Sequence, residues 1–77
     1  MTKITDVYEG EDLREIIIAN PDVHNLSNIS NVDISKNKTY LVDSWIGYYE
    51  PEKRSGIHIL NIREVTDELV DEMFMCL

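Results

Sequence analysis

Residues 39–49, TYLVDSWIGYY, carry the densest β signal in the chain, because aromatic and β-branched residues make up most of the run. A second strand signal, IHILNIR at 57–63, follows a loop, EPEKRSG at 50–56, that contains Pro and Gly. An isolated pair of strands is marginal in water. The remaining residues must therefore supply both a third strand and a cover.

Helical periodicity occurs on either side of this pair. In residues 9–20, EGEDLREIIIAN, Leu13, Ile16, Ile17 and Asn20 fall on one side and Glu11, Asp12 and Glu15 on the other. Asn20-Pro21 ends the segment, since a residue before proline avoids the α region. Ile18 lies off the stripe. A second helix begins near Thr66, a suitable N-cap, with Val65, Leu69, Val70, Met73, Phe74 and Leu77 as its apolar side. Residues 21–38 are rich in Asn, Ser and Asp and read as irregular chain leading into a short strand near 31–35. Lys36-Asn37-Lys38 then reads as a hairpin turn. Residues 2–8 have room for a short edge strand.

The expected fold is α+β: a single acidic domain over residues 1–77, ordered helix, three-stranded antiparallel sheet, helix, with both helices on one sheet face. With 77 residues the core is small and stability modest.

Charge is unevenly distributed. Residues 1–22 hold Asp6, Glu9, Glu11, Asp12, Glu15 and Asp22 against Lys3 and Arg14, and residues 64–77 hold Glu64, Asp67, Glu68, Asp71 and Glu72 with no base. The net charges are −4 and −5, while the middle is +1, for a total of −8. Such a surface repels phosphates and attracts basic partners. The first-turn acids Glu11, Asp12, Asp67 and Glu68 have a structural reason, since the positive end of the helix dipole stabilises carboxylates. Asp71 and Glu72 do not. The like-charge pairs Glu64/Glu68, Asp67/Asp71 and Glu68/Glu72 each cost roughly 0.2–0.5 kcal/mol. A helix shaped for stability alone would intersperse bases. Carboxylates four residues apart advance about 6 Å along a helix, so two acidic helices side by side resemble a row of phosphates.

Other residue types point to less. Trp45, Tyr48 and Tyr49 are candidate partner or dimer contacts, with Tyr40, Val42, Ser44, Ile46 and Tyr48 on one strand face and Leu41, Asp43, Trp45 and Tyr49 on the other. His24 and His58 are far apart in sequence and read as structural, with no metal-ligand spacing. Cys76 reads as a packing residue, and a single cysteine makes no internal disulfide. Ser44 beside Asp43 lacks a histidine at signature spacing. Lys36 and Lys38 in one loop, and Lys53 and Arg54 in another, read as solvated turn residues. No signal-peptide core or membrane-length apolar run is present. The expected location is the cytoplasm of a bacterial host.

No acid–base or nucleophile constellation appears, so neither an enzyme nor a cofactor or metal is expected. The favoured reading is a small acidic inhibitor that binds a basic, nucleic-acid-binding surface of a target protein and acts as a DNA mimic. Its economical setting is a phage-encoded anti-defence (anti-CRISPR) protein directed at a CRISPR effector or restriction nuclease. An immunity protein or antitoxin for a basic nuclease toxin uses the same physics. The alternative of a different class is an interaction or dimerisation module working through strand 39–49, with acidity serving solubility. Neither reading implies direct contact with nucleic acid or membrane.

Overall fold

The computed structural model describes the backbone of residues 2–75 and the side chains of residues 2–72. The expectations placed on Met73, Phe74, Cys76 and Leu77 lie outside the described side chains. The elements run β1 (Thr2–Glu9), α1 (Gly10–Ala19), β2 (Val23–Asn25), a 3-10 turn (Asn31–Asp33), β3 (Thr39–Tyr49), β4 (Arg54–Glu64) and α2 (Asp67–Met75). They form a small α+β domain with one four-stranded sheet in the order β1-β3-β4-β2. β1 pairs antiparallel with β3, and β3 antiparallel with β4, but β2 pairs parallel with β4. The sheet is therefore mixed, not the three-stranded antiparallel sheet expected. β1 and β2 lie at opposite edges and run the same way, with the β3–β4 hairpin inserted between them.

Residues 21–38 differ most from expectation. The strand expected near 31–35 is the 3-10 turn, in which Val32 is exposed and Ile34 is buried in the core. The strand in this region is instead Val23–Asn25, too short to be recognised from periodicity. Lys36-Asn37 does form a turn, with Lys38 N donating to Ser35 O at 3.3 Å, but it enters β3 from a loop and closes no hairpin.

α1 starts where Gly10 N donates to Lys38 O at 2.7 Å, which ties the first helical residue to the chain entering β3. Gly10 is required there, because a Cβ would stand 1.7 Å from the Ser35 carbonyl oxygen. At the other end Asn20 N bonds Ile16 O, and the Asn20 side chain accepts from Asp22 N at 3.0 Å, turning the chain at Pro21. Leu13 and Ile17 point from α1 onto the sheet and meet Val23, Ile34, Tyr40, Val42, Ile59 and Ile62. Ile18 is exposed.

A β-bulge sets the faces of β4. Asp43 pairs with Asn61 and Ser44 with Ile59, so Leu60 is an extra residue. The bulge lets Ile62 and Ile59, three apart, both face α1.

Thr66 caps α2 as expected: its Oγ1 accepts from Leu69 N at 3.2 Å. No described side chain of α2 belongs to the core cluster, which is built from α1, the loop at Ile34 and the sheet. The arrangement thus differs from two helices jointly covering one face. Among the described residues no helix is long and apolar enough to cross a membrane.

Candidate partner-binding surfaces

The predicted acidic residues occupy two different electrostatic settings. On α1, Glu11, Asp12 and Glu15 are exposed, but Glu11 and Glu15 share the rim of a shallow cleft with Arg14, Ile18 and Lys36. These two bases partly offset the helix's charge. Glu64 ends β4 and is held by Lys38, with Nζ 3.3 Å from Oε1. The pair is half exposed and is worth little stability. Asp67, Glu68, Asp71 and Glu72 are all exposed on α2, and no base lies within ion-pair distance of them among the described residues. The negative surface therefore concentrates on α2 and is not spread evenly over two helices.

The aromatic candidates separate. Tyr48 is exposed on the α1 side of the sheet. Trp45 and Tyr49 are half-buried on the opposite side, where Leu41 is buried. There the register lines up Lys3, Trp45, His58 and His24 across all four strands. The two histidines, far apart in sequence, are neighbours: their rings stack with centroids 5.0 Å apart. Tyr49 tilts over His58, also at 5.0 Å. It reaches across Gly47 and Gly56, which face each other and leave that row without side chains. Gly56 has φ +139°, and a Cβ there would meet Asp22 O at 2.4 Å, so glycine also admits the start of β2.

His58 is fully buried. Its Nε2 lies 3.1 Å from Gly47 O, and a carbonyl only accepts, so Nε2 carries the proton. Nδ1 is buried and has no hydrogen-bond partner among the described residues. Against the expectation of a satisfied structural histidine, only one His58 nitrogen has a partner among the described residues. Strand register alone brings His24, Trp45, Tyr49 and His58 together, and no spacing in the sequence signals it.

Among the described residues no three His, Cys, Asp or Glu side chains converge on a metal position. An open cleft of 560 Å³ is lined by Ile17, Val23 and the loop from Asn25 to Asn31. The loop's central polar group is already engaged: Asn25 Nδ2 donates to Ile29 O at 3.0 Å and to Asn31 Oδ1 at 2.8 Å, and its Oδ1 accepts from Ser27 N. Ser44 is buried under α1, with its neighbour Asp43 on the other sheet face accepting from Thr5 Oγ1 at 2.7 Å. The two do not form a catalytic pair.

The site and fold together define a small mixed-sheet α+β domain with an acidic C-terminal helix. Comparison with protein-family models, with curated proteins and with solved structures finds no match to this chain.

Proposed function

We propose that this protein is a non-enzymatic binder that uses the acidic face of α2 to occupy a basic, nucleic-acid-binding surface of another protein, and so inhibits it. One observation carries the reading. Asp67, Glu68, Asp71 and Glu72 are exposed together and without an ion pair among the described residues. Asp67/Asp71 and Glu68/Glu72 repel at four-residue spacing. That cost is relieved when a cationic surface lies against the helix. Repeats of about 6 Å along the axis suit a groove that accepts successive phosphates. Long-range attraction would also speed encounter.

A basic nuclease is the natural target class, whether a host defence enzyme or a toxin. The test is titration against the basic protein retained by the immobilised chain. Affinity should fall steeply with ionic strength, mainly through slower association. D71K/E72K should abolish binding while leaving the melting curve intact. Binding that ignores both salt and D71K/E72K would refute the reading.

A further inference from the structure

The acidic helix leaves the sheet edge unused, and that edge has its own pattern. The β2 edge is only three residues long, but β1 runs eight residues in unbroken register with β3, without bulge or proline. The hydrogen-bond phase of β1 is fixed by its neighbours. Gly10 N donates to Lys38 O, in step with the β1–β3 pairing that sets Glu9 against Thr39. Antiparallel pairs alternate between bonded and non-bonded, so Thr2, Ile4, Asp6 and Tyr8 bond inward to β3. The N–H and C=O groups of Lys3, Thr5 and Val7 and the N–H of Glu9 face the free edge, while the Glu9 C=O, at the N-cap, is engaged by α1. Val7 agrees: its N–H donates to the Asp6 carboxylate, 2.8 Å away, and not to β3. Exposed edges of this kind are templates for strand addition.

We propose that β1 pairs antiparallel with β1 of a second copy, about a two-fold axis through Asp6. This surface is distinct from α2, so the inference stands apart from the function proposed above. With the axis at Asp6, Lys3 lies opposite Glu9 of the second copy, and Thr5 lies opposite Val7, twice each. All four outward-facing residues meet outward-facing residues, giving about six main-chain hydrogen bonds, since the Glu9 C=O of each copy is held by α1. Two Lys–Glu pairs form on the Trp45 face, and Ile4, 37% exposed in the monomer, meets Tyr8 of the second copy on the α1 face. Moving the axis to Thr5 sets Lys3 against Val7. Moving it to Val7 leaves Lys3 without a partner. Charge complementarity and hydrogen-bond phase thus select one register, and a closed two-fold pair consumes the edge in both copies. Asp6 opposes the pairing. Its carboxylate occupies Val7 N–H in the monomer and would face its own copy across the axis, where like charges repel. Asp6 therefore keeps the dimer weak and reversible.

Sedimentation of the full chain over a range of concentration tests this. The wild type should associate reversibly, and D6N should associate at least tenfold more tightly. K3E should weaken association, and K3E/E9K should restore it, with thermal melts confirming that each variant folds. In a background carrying Cys76→Ser, D6C should form a disulfide-linked dimer while T5C and V7C do not. A D6N variant that stays monomeric up to millimolar concentration overturns the proposal. So does a dimer indifferent to K3E, cross-linking strongest at T5C, or a monomer that instead takes up an added extended peptide along β1.

Discussion

Replacing Gly10 by alanine should destabilise the protein, although the same change in a helix ordinarily helps. Alanine is favoured over glycine in a helix by about 1 kcal/mol, and it also lowers the entropy of the unfolded chain. At Gly10 these gains meet a steric block. The new methyl group would stand 1.7 Å from Ser35 O and 3.1 Å from Lys38 O. Both atoms are backbone, so no side chain can swing aside. The segment from Ser35 to Lys38 must retreat by more than an ångström to reach ordinary contact. That movement stretches the 2.7 Å hydrogen bond from Gly10 N to Lys38 O and disturbs Ser35 N, which donates to the buried Tyr40 hydroxyl at 2.8 Å. Overpacking costs about 1–3 kcal/mol and a lost hydrogen bond about 1 kcal/mol. Net of the propensity gain, the loss is about 1–3 kcal/mol. For a domain of this size that lowers Tm by roughly 4–24 °C. Thermal melting followed by circular dichroism measures it directly. A variant that melts at or above the wild-type temperature would refute the close approach of α1 to the chain entering β3.

Outcomes at three further positions follow from the packing. Leu13, 1% exposed at the centre of the α1–sheet contact, should cost about 2–5 kcal/mol when cut to alanine, measured by denaturant unfolding. His58→Phe keeps a ring in place and removes both the bond to Gly47 and the unpartnered Nδ1, so it should change stability by less than about 1.5 kcal/mol. His58→Ala should lose about 3 kcal/mol or more by emptying the space beneath His24 and Tyr49; equal effects of the two substitutions would contradict a packing role for the ring. Ser44→Val should raise Tm, because Ser44 borders a 40 Å³ void lined by Tyr8, Leu13, Ile16, Val23, Val42, Ile57 and Ile59; a lower Tm in the same melt would show that the hydroxyl matters more than the void.

Local chemistry made some of this architecture readable. β3 spans residues 39–49 as read, since its aromatic and β-branched residues admit little else. α1 lies within one residue at each end of the expected 9–20, bounded by the acid-rich first turn and Asn20-Pro21. Thr66 caps α2. What escaped was set by tertiary contacts. Val32 and Ile34 have the spacing of alternating strand residues, but Val32 is exposed in a 3-10 turn and Ile34, just after it, is buried. β2 is three residues whose ladder exists only because β4 lies beside it. The bulge at Leu60 breaks the alternation that would have told which face each β4 residue takes. For the candidate surfaces, the acids of α2 were legible as charge, and so was the split of Tyr48 from Trp45 and Tyr49. The partial offset of α1 by Lys36, and the meeting of His24 with His58, required the folded chain.

If α2 stands in for nucleic acid on a basic partner, this protein and DNA compete for one surface. The basic protein retained at low ionic strength is loaded with labelled duplex DNA, and the wild-type chain or D71K/E72K is titrated in. The wild type should displace the DNA stoichiometrically, D71K/E72K should not, and added salt should weaken displacement. A ternary complex in which the partner holds the DNA and this protein together would contradict it.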